Sequence, residues 1–161
     1  MSVPKSRRKQ ANTEYVRQAS YLSSKVGAMC GRLPKRWAFT RTQYILEAAN
    51  GCFSEAMKAN AIYATNKTEA DKRMEHLLEA LGWVVCVEGY VDQLAEDNPR
   101  RPCDAGKDYD EQRPCITDGL FAEVGRTCES VEKLLKAVIK KDRAKWSTVR
   151  PKRRTSSRRG M

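Results

Sequence analysis

Apolar side chains recur in steps of four and three along most of this chain, the spacing of one face of an α-helix. From about residue 10 to 32 the face is Tyr15, Ala19, Leu22, Val26, Met29 and Leu33. Pro34 interrupts it, and a proline suits the first turn of a following helix. A second face, over about 35–64, is Ile45, Ala49, Cys52, Ala56, Ala59 and Tyr63. Thr65-Asn66-Lys67 breaks the pattern. Thr68 is then the expected N-cap of a third helix, with Glu69 and Asp71 favourable at its positive end. This helix, over about 68–96, is expected to face the core with Met74, Leu78, Leu81, Val85, Val91 and Leu94. A fourth, over about 117–145, carries Phe121, Val124, Cys128, Val131, Leu135 and Val138.

Four amphipathic helices and mostly short connections predict an all-α fold, an up-down-up-down four-helix bundle. Val84-Val85-Cys86-Val87 is the one strand-like run, and the helical period on both sides argues against a strand. Residues 97–116, DNPRRPCDAGKDYDEQRPCI, hold three prolines and many charges, and read as a long excursion between the last two helices. Residues 1–9 read as a basic flexible arm. After Trp146, residues 147–161 lack core-forming side chains and read as a basic disordered tail.

The third helix departs from simple amphipathicity. Trp83, Val84, Val85, Cys86 and Val87 are consecutive and so cover its whole circumference. A helix apolar all round is buried on more than one side. In a small bundle the second side is expected to be a subunit interface, with Trp83, Val84 and Val87 as its residues. The plainer alternative is a wide core face with one exposed aromatic.

Charge adds the next constraint. The 161 residues include 31 Lys and Arg against 20 Asp and Glu, a net charge of +11. It is concentrated at the ends: residues 1–10 carry +4 and residues 140–161 carry +9, leaving −2 for the rest. Such ends bind polyanions without sequence preference. In the tail the candidates are Arg150, Lys152, Arg153, Arg154, Arg158 and Arg159. Within the body, the elbow GRLPKRWAFTR (31–41) gathers Arg32, Lys35, Arg36 and Arg41 around Trp37 and Phe39. Cations at a turn can contact phosphates, and an aromatic among them, Trp37 first, can stack on a base. The competing reading is a solvated helix start with both aromatics tucked into the bundle end. Cations near a helix N-terminus oppose its dipole, so helix stability does not explain them.

Catalytic and metal chemistry find little support. There is no GxxxxGK, GxGxxG or GxSxG motif. His76, the one histidine, sits among Lys72, Arg73 and Glu75 and reads as exposed, with no Glu three residues before it to form a di-iron pair. Glu88 interrupts the apolar run and is the one carboxylate worth weighing as a buried acid; a basic partner or a place at a subunit boundary is the simpler role. The six cysteines at 30, 52, 86, 103, 115 and 128 form no CxxC pair. Cys30, Cys52, Cys86 and Cys128 read as small buried hydrophobes, whereas Cys103 and Cys115 flank the excursion. No cofactor and no metal is expected. No signal peptide or membrane span is visible, so the expectation is a cytoplasmic chain with reduced thiols.

The order of these pieces resembles a known family. The opening SVPKSRR (2–8), the elbow LPKRWAFTRTQ (33–43), the segment KANAIYATNKTEADKRMEHLLEA (58–80) and the helix starting near 117 carry the resemblance. The chain looks like the four-helix-bundle proteins of bacterial mobile elements and phages. These include the accessory variability determinants of diversity-generating retroelements and the proteins encoded by intervening sequences in large-subunit ribosomal RNA genes. The resemblance covers roughly residues 2–96 and 117–140. It implies a non-enzymatic homopentamer that binds a reverse transcriptase and template RNA, with cDNA as a further candidate ligand, and supports mutagenic cDNA synthesis. Arg32, Lys35, Arg36 and Arg41 are then the candidates for phosphate or reverse-transcriptase contact. The excursion 97–116 and the Arg-rich tail depart from the family pattern. The alternative is a protein-interaction bundle of a phage or mobile element whose basic ends only aid solubility.

Overall fold

The computed structural model describes residues 14–98 and 114–147. They form α1 (Glu14–Cys30), α2 (Gln43–Ala61), α3 (Lys67–Asp97) and α4 (Asp118–Ser147). A 3₁₀ turn (Lys35–Trp37) and a π-helical segment (Ala38–Thr42) lead into α2. No strand occurs among the described residues, and the architecture is an all-α four-helix bundle. Each helix packs against two neighbours: α1 on α2 and α4, α3 on α2 and α4. Pairings such as Tyr44 with Tyr90 and Glu55 with His76 set α2 and α3 antiparallel.

The traced faces of α1 and α4 are the core faces. Tyr15, Ala19, Leu22, Val26 and Met29 are buried, as are Val124, Cys128, Val131 and Leu135. On α2 the buried stripe is Ile45, Ala48, Ala49, Cys52, Ala56 and Ala59, almost all small. Small side chains allow helix axes toward the near end of the usual 8–10 Å separation. α2 and α3 accordingly share the most extensive contact in the bundle. Tyr63, expected to close the α2 face, is instead 78% exposed, because the helix ends at Ala61.

The expected core face of α3 is corrected in its first half. The buried residues are Ala70, Leu77, Ala80, Val84, Val87, Val91 and Leu94. Leu78 and Val85 are exposed, and Met74 and Leu81 are half-buried. The helix therefore carries a second apolar row beside the core face, in which Met74 and Leu81 pack against the core edge while Leu78 and Val85 stand exposed. This also corrects the expected subunit interface. Val84 and Val87 have no exposed surface in the single chain, and half-buried Trp83 lies over Gly51 of α2.

The ends of α3 are tied by side-chain amides. Asn66, not Thr68, is the N-cap, accepting from the Glu69 N–H at 3.0 Å. Glu69 Oε2 in return accepts from the Thr65 N–H and hydroxyl, each at 2.8 Å, a variant of the capping box. At the other end Asn98 donates from Nδ2 to the Ile116 carbonyl at 2.8 Å and accepts from its N–H at 3.4 Å. Both backbone groups of Ile116 are thus met by one amide. Cys115 and Ile116, assigned to the excursion, are buried in the core, so the chain leaves and returns at one spot. Residues 99–113, Cys103 among them, lie outside the described residues, as do 1–13 and 148–161.

Arg73 locks the end of the bundle opposite the elbow. Its Nη1 donates to the Ala59 and Ile62 carbonyls at 2.6 and 3.3 Å, closing the open C-terminus of α2. Its Nε bonds Asp142 of α4 at 2.7 Å with both side chains largely shielded.

Gly51 supplies a test of the close α2–α3 contact. A Cβ at this position would meet the Trp83 ring at 2.8 Å. Ala in place of Gly gains about 1 kcal/mol of helix propensity, but overpacking costs about 1–3 kcal/mol. Gly51→Ala should therefore lower the Tm in the native background. In a Trp83→Leu background the same substitution should raise it, read by thermal unfolding of all four proteins.

Candidate nucleic-acid interface

The elbow begins where α1 runs out of helix. The N–H groups of Gly31, Arg32 and Leu33 bond the Gly27, Met29 and Cys30 carbonyls at 3.0–3.1 Å, turning the chain tightly. The Trp37 N–H then bonds the Pro34 carbonyl at 2.9 Å, which starts the 3₁₀ turn. Passing from 3₁₀ to π winding resets the direction of successive side chains, so α-helical spacing does not hold from 35 to 42.

That reset separates the two aromatics. Trp37 is half-buried and packs against the core. It lines a shallow cavity of about 260 Å³ with Thr40, Arg41 and Asp97. Phe39 is 82% exposed, the most exposed large apolar side chain among the described residues. The aromatic positioned to stack on a ligand is therefore Phe39, and Trp37 anchors the turn. This corrects the expectation that placed Trp37 first as the stacking residue, and the change of winding leaves no signature in residue type.

The four cations divide in the same way. Arg32, Lys35 and Arg36 are exposed, and none makes an ion pair among the described residues. Arg41 is committed to α3: its guanidinium donates to Gln93 Oε1 at 3.1 Å and Asp97 Oδ2 at 2.7 Å. It fastens the elbow to the bundle instead of presenting charge. The tail residues Arg150, Lys152, Arg153, Arg154, Arg158 and Arg159 fall outside the described residues.

Glu88 lies in a groove of about 410 Å³ between α3 and α4 with an apolar floor of Val91, Phe121 and Val124. The expected basic partner is not what surrounds it. Asp92, Glu129 and Glu132 line the same groove. Burial first, and then the charges of Glu132, Asp92 and Glu129, hold the Glu88 carboxyl above its ordinary range, and Lys136 offsets this in part. The result is an acidic groove near the elbow end of a net-basic chain.

The thiols give no nucleophile in the core. Burial pushes Cys30 up to about 11 and Cys52 and Cys128 up to about 12, so none is a thiolate at neutral pH. Cys86, expected to be buried, is exposed. His76 is half-buried and not free: its Nδ1 lies 2.6 Å from Oε2 of Glu55, a buried carboxylate that sequence spacing did not connect to it. No helix among the described residues is long and apolar enough to cross a membrane.

Glu88 yields a pH prediction. Its carboxyl binds a proton more tightly in the folded chain than in the unfolded one. Stability from this group is complete below the unfolded value and is lost as the pH rises through the folded value. Glu88→Gln should therefore raise the Tm at neutral pH. The gain should vanish as the pH falls toward the unfolded value of a glutamate, about 4.3, when both proteins are melted across a pH series.

Compared with protein-family models, curated proteins and solved structures, the chain matches none of them.

Proposed function

We propose that this four-helix bundle is a non-catalytic nucleic-acid-binding protein whose elbow end contacts RNA. The observation that carries this reading is the trio Arg32, Lys35 and Arg36, exposed and without ion pairs among the described residues, beside a Phe39 ring left almost wholly in solvent. Unpaired cations release counterions when they meet phosphates, and an exposed aromatic adds a base-stacking surface. The same body spends other cations on its own carboxylates, as Arg73 on Asp142 and Lys25 on Glu123. The elbow trio is therefore held in reserve in a way that ordinary structural cations are not. Following the resemblance carried by residues 33–43 and 58–80, the bundle serves as accessory to a reverse transcriptase, holding template RNA, and cDNA after it, during mutagenic copying.

Self-association is part of this reading, and the second seam of α3 supports it. Met74, Leu78, Leu81 and Val85 follow the four-three-four spacing of a helix–helix contact, with Leu78 43% and Val85 54% exposed. These residues replace Val84 and Val87 as candidates for contact between copies. The number five belongs to the resemblance alone.

The experiment is binding of a single-stranded RNA by the full chain, followed by fluorescence anisotropy across a salt series. Each lost phosphate contact on a single strand should flatten the slope of log K against log salt by about 0.7, so Arg32→Glu, Lys35→Glu and Arg36→Glu together should flatten it by about 2. Phe39→Ala should weaken binding by about 1–3 kcal/mol with the slope unchanged. Circular dichroism should match wild type in both. A triple variant that binds as wild type does would move the contact to the terminal segments, and the protein-interaction reading would then take its place.

A further inference from the structure

A cluster of different chemistry lies on the α2–α3 seam about one turn from its Arg73 end. Glu55 of α2 is only 7% exposed. His76 and Glu79 stand one turn apart on α3, at the spacing that puts two side chains on one helix face. One ligand atom from each of the three lies within 4.8 Å of the others. The Glu79 carboxylate thus lies beside that of Glu55, and His76 Nδ1 is 2.6 Å from Glu55 Oε2. Two carboxylates in such contact need a positive charge or a proton between them. Lys58 supplies one, its Nζ 2.5 Å from Glu55 Oε1, but it is a 54% exposed side chain engaging one edge of the buried carboxylate. Two carboxylates still face the one Lys58 ammonium.

We propose that Glu55, His76 and Glu79 bind a divalent transition-metal ion of the zinc type, with a fourth position left to water. The ligand set selects the class of ion. An imidazole disfavours magnesium and calcium, which take oxygen donors, and suits zinc and its neighbours. The geometry is within reach of small side-chain movements. Bonds of 2.0–2.2 Å in a tetrahedron place ligand atoms about 3.4 Å apart. Glu79 is exposed and can rotate in, whereas Glu55 and His76 are already in contact on two packed helices. The metal enters between His76 and Glu55, where the pair now shares a hydrogen bond, with the imidazole as its neutral tautomer. Lys58 competes for the same carboxylate and swings into solvent when the ion binds. Three protein ligands and one water is the arrangement of an open site, not of a closed structural one. Glu55 stands about 18 Å along α2 from its first residue, so the site and the elbow reading stand or fall separately.

The test uses the full chain after chelator treatment, titrated with Zn²⁺ by calorimetry and with Co²⁺ by visible absorption. The expected result is one ion per chain, and a Co²⁺ spectrum of four-coordinate nitrogen and oxygen ligation without sulfur charge transfer. His76→Asn and Glu79→Gln should each weaken binding by more than about tenfold, since even outer-shell changes cost that much. Glu79→Gln leaves the Lys58–Glu55 pair in place, so its fold should be intact by circular dichroism. Lys58→Met should tighten Zn²⁺ binding, whereas a merely structural ion cluster would lose stability and gain no affinity. Absence of binding, affinity unchanged in His76→Asn and Glu79→Gln, no tightening in Lys58→Met, or a sulfur-dominated Co²⁺ spectrum abolished by Cys86→Ser would each overturn the proposal.

Discussion

The bundle depends on how thin α2 is. Ala48, Ala49, Cys52, Ala56 and Ala59 form most of its inner face, so α2 brings little apolar volume of its own. It contributes proximity instead. The core is filled from the other helices and from the end of the excursion, by Tyr15, Leu22, Met29, Leu77, Leu94, Ile116 and Leu135. Because α3 sits close, Trp83 can lie flat over Gly51, and Arg73 can reach back to the last carbonyls of α2. The same closeness brings Glu55 against His76. Larger residues on the α2 stripe would separate all three contacts at once, since packed interiors do not absorb added volume locally.

This closeness sorts the charged residues into two kinds. Arg73 and Arg41 are both basic residues facing a seam, and both are consumed there: one by Asp142 and two carbonyls, the other by Gln93 and Asp97. Shielded charged hydrogen bonds such as those of Arg73 contribute about 1.5–3 kcal/mol each, and exposed pairs such as Arg41–Asp97 about 0–1 kcal/mol. They fasten opposite ends of the α2–α3 pair. Arg32, Lys35 and Arg36 lie just before the seam begins, on the turn itself, and make no ion pair among the described residues. Position along the fold, and not residue type, separates a structural cation from an available one.

The sequence made some of this legible and hid the rest for identifiable reasons. α1 and α4 alternate large apolar residues with charges, so their core faces stand out. α3 does not, because Leu78 and Val85 outweigh Ala80 in any reading by side-chain size while Ala80 is the buried one. The correct seam is chosen by the fit to the α2 stripe, a tertiary constraint that one helix cannot express. The elbow was legible as a cluster of cations, yet its division into Arg41 against the other three required knowing where Asp97 falls. The sequence favours Trp37 over Phe39 as the outward aromatic, and the change from 3₁₀ to π winding reverses that order, turning Trp37 inward and Phe39 out. Glu55 and His76 are 21 residues apart on different helices, and no local spacing announces their meeting.

Net charge is a poor guide to the local field around this body. Apart from its two ends the chain is close to neutral, but its charges are segregated. The α3–α4 groove gathers Glu88, Asp92, Glu129 and Glu132, and the elbow gathers Arg32, Lys35 and Arg36. The Debye length at physiological ionic strength is about 8 Å, so patches further apart than that act independently. The local field then changes sign between the groove and the elbow, whatever the total charge.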